Sequence, residues 1–91
     1  MTVLRIVTRQ MSREMYRAIH TGAEINRDHP VGLILHGASK VEETMQITQV
    51  WDSEEYARRF DEERLRPALQ AVGAPLQSTV RVYQLDHLVT P

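Results

Sequence analysis

Hydrophobic and polar positions change period several times along the chain, and each change marks an element. Thr2 to Thr8 (TVLRIVT) is dense in β-branched residues and predicts a strand. Met11, Met15, Ile19, Gly22 or Ala23, and Ile25 then recur at helical spacing, with Ser12 as N-cap and Glu14 in the first turn. That helix should stop before Asp28-His29-Pro30, because proline disfavours helical geometry in its predecessor. Val31 to Ser39 and Thr44 to Trp51 predict two more strands, joined by a polar loop over Lys40 to Glu43. A second helix runs from about Ser53 to Val72 with Tyr56, Phe60, Leu65, Leu69 and Val72 inward. An Asp52–Glu55 capping box, or Ser53, starts it. Pro67 predicts a kink or break, and Gly73-Ala74-Pro75 the end. Thr79 to His87 is a last strand before a short tail, Leu88 to Pro91.

The order is β-α-β-β-α-β, which predicts an α+β, ferredoxin-like fold: a four-stranded antiparallel sheet with both helices on one face. A hairpin centred on residues 41 and 42 pairs Ser39 with Thr44 and Leu35 with Thr48. Strand alternation then puts Ile34, His36 and Ala38 on one face with Met45, Ile47, Gln49 and Trp51. Leu33, Leu35, Thr48 and Val50 take the other face. Neither face reads as polar, so each needs a covering layer, and a second copy of the chain is the expected source. A homodimer follows.

Composition sharpens this picture. At 91 residues the chain is a single domain, residues 1–91, short enough to be marginal as a monomer. It has no cysteine for disulfides or thiolate metal sites, which again favours an oligomer. Net charge is −1, and Arg58, Arg59, Arg64 and Arg66 interleave with Asp61, Glu62 and Glu63 as on a solvated helix face. No basic stripe for nucleic acid and no apolar run for a membrane or signal peptide exists, so a cytoplasmic protein is expected. The four histidines lack HxxxH or HxH spacing, so no metal is expected. Glycine patterns for nucleotides, a GxSxG elbow and a cysteine nucleophile are absent too.

His36 is the sharpest chemical candidate. It sits mid-strand on the face of Gln49 and Trp51, as either a satisfied core residue or a pocket base or donor. Gly32 and Gly37 flank it with little bulk, as where a ligand or backbone approaches closely. Arg5 interrupts an apolar strand and is either a pocket cation for an enolate, phenolate or carboxylate, or an edge residue. His20 faces either the pocket or water. Tyr16, Tyr56 and Tyr83 each fill core, with a hydroxyl able to reach the pocket. Met11, Met15 and Met45 read as adaptable packing. His29, before a proline, reads as a surface residue, and His87 stands beside Asp86 at a strand end.

Three segments carry a family resemblance: VWDSEEYARRF (Val50 to Phe60), RLRPALQAVG (Arg64 to Gly73), and the His36 strand with Gly37-Ala38. With the element order, they resemble the dimeric α+β barrel superfamily that holds the antibiotic biosynthesis monooxygenases, and a small bacterial branch in particular. The resemblance implies two sheets packed as a barrel, helices outside, and one pocket per subunit between helices and sheet. Its members include cofactor-free quinone-forming oxygenases, haem degraders, polyketide cyclases and lactone isomerases. By position Trp51 reads as a large apolar plug where strand turns to helix, and the resemblance implies that it is also a wall that stacks on a flat ligand. The chain departs from the pattern twice: no histidine follows Trp51 by about ten residues, where Arg59-Phe60-Asp61-Glu62 stands, and Arg5 lies where the first strand often carries asparagine. Haem use therefore loses support.

The expected activity is cofactor-independent oxygenation of an aromatic or polyketide-like molecule. His36 and Arg5 would be catalytic, and Trp51, Gln49, His20, Tyr56, Tyr83 and Met45 would line the substrate site. A cyclase or isomerase using proton transfer in the same pocket, and a non-catalytic binding dimer, are the rival expectations.

Overall fold

The β-branched run at the N-terminus forms β1 (Val3–Gln10), whose odd-numbered residues are all buried. Ser12 caps α1 (Arg13–Gly22), its Oγ accepting the Met15 N–H at 3.1 Å. The hairpin β2 (Leu33–Val41) and β3 (Thr44–Trp51) follows, then α2 (Glu54–Phe60), one π turn (Asp61–Leu65), α3 (Arg66–Ala71) and β4 (Thr79–Gln84). The strands are antiparallel in the order β2-β3-β1-β4, the ferredoxin-like arrangement, in a computed structural model that describes residues 1–89. Thr90 and Pro91, the end of the expected tail, lie outside the described residues.

Several boundaries differ from the sequence expectation, each for a local reason. α1 ends at Gly22, short of Asp28, because Arg64 reaches across and donates to the carbonyls of Ala23, Glu24 and Asp28 at 2.6–3.0 Å. Those carbonyls need no further helix, and Glu24 turns the chain with φ of +57°. The hairpin closes at Glu42-Glu43, so Ser39 pairs with Gln46 and the register shifts by two residues. A shift of two preserves every side-chain face, which is why the facing set survives. A bulge between Leu33 and Leu35 breaks the alternation and turns Leu33 into the core. The Asp52–Glu55 box does not form: the Asp52 N–H donates to the Gly32 carbonyl at 2.8 Å, and Ser53 takes the cap position with no side-chain bond.

Helical structure runs on through Pro67 without a break. Just before it the helix widens, the Arg66 N–H reaching back five residues to the Asp61 carbonyl. That extra residue makes room for a ring that would otherwise meet the carbonyl four residues earlier. It also rotates the remaining turns, so Val72 points to solvent and Ala68 joins Leu69 in the core.

Trp51 is fully buried where β3 turns to α2, its ring 5.6 Å from that of Phe60. Gly32, with φ of +86°, lies so close to Tyr56 that a Cβ would sit 2.5 Å from the ring. The glycine at that point admits a packed tyrosine, not a ligand. Gly37 faces open space on the far side of the sheet. That far face is mixed: the register lines up Leu35, Val50, Leu4 and Tyr83 in one apolar row, then Gly37, Thr48, Ile6 and Arg81, then Ser39, Gln46, Thr8 and Thr79. Only one end of it is apolar, fewer positions than the sequence suggests.

Candidate functional site

The helix-facing side of the sheet carries a polar row, His36–Gln49–Arg5, contributed by the adjacent strands β2, β3 and β1, with Arg9 and Lys40 beside Met45 two rows away. This row forms one wall of a cavity of about 70 Å³ under α1 and the π turn. Val7, Ile19, Ile47, Phe60 and Leu65 supply apolar walls, and Tyr16, His20, Arg9 and Asp61 further polar ones.

The polar groups form a continuous chain. Arg5 Nη2 donates to Asp61 Oδ2 at 2.7 Å, and its Nη1 to Gln49 Oε1 at 3.3 Å. Trp51 Nε1–H donates to the same Gln49 oxygen at 3.0 Å. Gln49 Nε2 lies 3.4 Å from His36 Nδ1, His36 Nε2 lies 2.7 Å from the Tyr16 hydroxyl, and that hydroxyl lies 3.2 Å from His20 Nδ1.

Chemistry orients this chain. Arginine and the indole N–H can only donate, so the Gln49 oxygen faces them and its amide N–H faces His36. His36 Nδ1 must then accept, which leaves the proton on Nε2 to donate to Tyr16. The Tyr16 O–H is then directed at His20 Nδ1. Burial first, and the neighbouring His20 second, push the His36 pKa down from 6.5 to about 4, so its imidazole is neutral near pH 7. Burial likewise raises the Tyr16 pKa.

No family model matches the sequence, and no curated protein does. Solved structures do match, over nearly the whole chain. SnoaB, a cofactor-independent oxygenase from Streptomyces nogalater, superposes with a TM-score of 0.70 at 13% identity, covering 99% of this chain and 98% of that one. Rv0793 from Mycobacterium tuberculosis gives 0.74 at 11%, covering 99% of this chain and 100% of that one. NE2512 from Nitrosomonas europaea, of unknown function, gives 0.74 at 12%, with 99% and 94% covered. The chain has the antibiotic biosynthesis monooxygenase fold. At such identities the likeness carries the fold alone, and chemistry must be read from the site.

Within this fold, His36, Arg5, Gln49 and His20 all line the cavity. Four expected site residues do not. Tyr83 lies on the far face of the sheet, because its neighbour Val82 is the residue that shares a row with Arg5. Tyr56 packs over Gly32 and under the Arg59 guanidinium. Met45 is core. Trp51 is a core plug that touches the site only through its bond to Gln49, so it offers no ring for a ligand to stack on.

Three residues outside the expected site set gain their roles in the folded chain. Tyr16 bridges the two histidines. Asp61, read from sequence as part of a solvated face, pairs with buried Arg5 because the π turn directs it inward. Arg9 shares the Arg5 face by strand alternation and is 9% exposed. The alternation of β1 held that signal: two arginines four residues apart on an otherwise apolar face.

Proposed function

We propose that this protein is a homodimeric, cofactor-independent monooxygenase acting on a small enolisable or phenolic ring held in the cavity beside Tyr16. The observation that supports this reading best is the oriented chain that ends on a tyrosine hydroxyl between two histidines, inside an otherwise apolar pocket.

The orientation assigns roles. His36 has its lone pair occupied by Gln49 and its remaining N–H on Tyr16, so it positions Tyr16 and stabilises negative charge there. Proton removal then runs through Tyr16, which takes a proton from the ligand as it passes its own to His20 Nδ1. Arg5 supplies positive charge for the ligand anion. The electron-rich anion gives one electron to O₂, the two radicals couple to a C–O bond, and the resulting hydroperoxide loses water to leave a carbonyl. His20 returns its proton through Tyr16 to the departing hydroxide. One CH₂ and one O₂ become one C=O and one water.

Size limits the ligand. A cavity of about 70 Å³ is smaller than the ~150 Å³ that holds benzene and the ~300 Å³ usual for larger ligands. A single ring enters with modest adjustment of Met11 and Leu65, and a tricyclic ligand requires the helices to move apart. The small volume is also what favours the second reading, a binding dimer without turnover. Homodimerisation is supported by β4, which the helices leave uncovered: Val80 and Val82 are exposed on its cavity side and Tyr83 on the other, a face on which Leu35 of β2 is exposed as well.

The test is oxygen uptake, with ¹⁸O₂ incorporation, on anthrone and on hydroquinone under chelation. Tyr16→Phe should lower the rate by about 10²-fold, and His20→Gln comparably. Uptake unaffected by Tyr16→Phe would refute the relay. Turnover of the ligand without oxygen consumption would identify the isomerase or cyclase alternative, in which the same relay moves a proton.

A further inference from the structure

Two guanidiniums line the cavity, and only one has a carboxylate. Arg5 is matched by Asp61 at 2.7 Å. Arg9 lies four residues further along β1 on the same face, about 13 Å away along the strand, with Val7 between them. It is buried, yet its bonds come from a single nitrogen. Nη1 donates to the Pro75 and Leu76 carbonyls at 3.5 and 3.3 Å, beyond the usual range for such bonds. Among the described residues, no acceptor takes the Nε or Nη2 hydrogens, and since no fully buried side-chain nitrogen lacks a partner, that edge is open to solvent. That edge is the one that pairs side-on with a carboxylate. Burial is the largest influence on Arg9 and lowers its pKa, as does Arg5, and the attraction of Asp61 opposes them only in part. Arg5 and Arg9 against Asp61 leave the cavity wall with one guanidinium more than its carboxylates.

We propose that Arg9 is a carboxylate anchor: the ligand carries a carboxylate that pairs with the Nε–Nη2 edge, at the end of the cavity away from Tyr16 and His36. This rests on reading the cavity as a ligand site, and not on the oxygen chemistry. The Pro75 and Leu76 carbonyls hold the guanidinium in place from its opposite edge, so little side-chain freedom is lost on binding. The ligand class is thereby narrowed from a hydroxyaromatic to a small hydroxyaromatic or enolisable acid.

The experiment is an NMR titration of ¹⁵N-labelled protein with benzoate and with benzamide, a neutral molecule of nearly the same shape, at fixed ionic strength. Acetate and acetamide form a second pair that needs less room. An acid should bind at least about tenfold more tightly than its amide and should shift the Arg9 Nε–H signal. Arg9→Met should abolish the preference, and Arg9→Lys should keep part of it through charge alone. If Arg9→Met does not fold, the native protein and Arg9→Lys still decide the matter. Equal affinity for acid and amide, a preference that survives in Arg9→Met, or no binding of either acid would overturn the assignment. Tyr16-dependent oxygen uptake without acid preference would remove the anchor and keep the oxygenase, and acid binding without uptake would do the reverse.

Discussion

Gln49 joins the core to the site, and a double-mutant cycle with Trp51 measures that join. Gln49→Met keeps the side-chain length and removes the acceptor shared by Trp51 Nε1–H and Arg5 Nη1. Trp51 is 0% exposed, so its N–H finds no water. A buried donor left without a partner costs about 1–3 kcal/mol. Arg5 keeps Asp61 and loses only its longer bond, a further ~1 kcal/mol. The expected destabilisation is therefore about 2–4 kcal/mol, which lowers Tm by roughly 10–25 °C in a domain of this size. Trp51→Phe removes the donor itself and leaves roughly 40 Å³ beside Phe60, a loss of about 1 kcal/mol for the cavity plus about 1 for the bond. In the double variant no indole N–H is left without an acceptor, so the combined loss should fall short of the sum by about 1–2 kcal/mol. Urea denaturation at one fixed protein concentration reads all four corners, which matters if the protein is a dimer. Additivity within about 0.5 kcal/mol would show that Gln49 does not hold the indole, leaving Arg5 alone to orient the Gln49 amide towards His36.

The His36 imidazole should make stability depend on pH. The unfolded chain takes up its proton near 6.5 and the folded chain only near 4. Between those values the unfolded state binds more protons, so stability falls as pH drops through that window. The ring is partly exposed, and the discounted loss is about 1–2 kcal/mol; His36→Gln should lose correspondingly less, and equal slopes in the two proteins would refute the assignment. Gly32→Ala meets both a φ of +86° and a Tyr56 ring carbon at 2.5 Å. It should cost at least about 3 kcal/mol in thermal or urea unfolding, and a near-neutral result would mean Tyr56 packs elsewhere. Gly37→Arg adds bulk where nothing lies within 4 Å in one chain, so the fold should survive while sedimentation shows monomer; an unaltered dimer would move the interface off this face.

Much of the fold was legible because period-two and helical patterns are local. The shared facing of His36 and Gln49 came through even with the hairpin register off by two, since alternation is unchanged by an even shift, whereas the side taken by Arg5 stayed open until the strands were paired. Leu33 did not, because a bulge leaves no mark in a run where every residue is apolar. The π turn left a trace, the five-residue spacing from Phe60 to Leu65, yet Asp61 still read as one acid among many. Its partner lies on a strand 56 positions away, and no periodicity reports that. Trp51 separates two kinds of inference: its position at the strand-to-helix corner marked it as a core plug, the family resemblance made it a pocket wall, and the corner consumed the ring as core.

What separates the polar row from ordinary core filling is its asymmetry. Leucine or valine at positions 5, 36 and 49 would fill the same face without any need for matched donors and acceptors. A buried polar row is stable only when every member is satisfied. From Asp61 to His36 that condition is met internally, each group held by the next. At the other end it is met by Tyr16 and His20, which line the cavity and come from α1, not from the sheet. Replacing His36 by leucine would leave Gln49 and Tyr16 short of a partner, but an all-apolar row would leave nothing short. A purely structural role gives no reason to keep the chain, or to hold a second guanidinium beside it without a carboxylate. A ligand that exchanges a proton at Tyr16 and carries its own negative charge to Arg9 gives a reason for both.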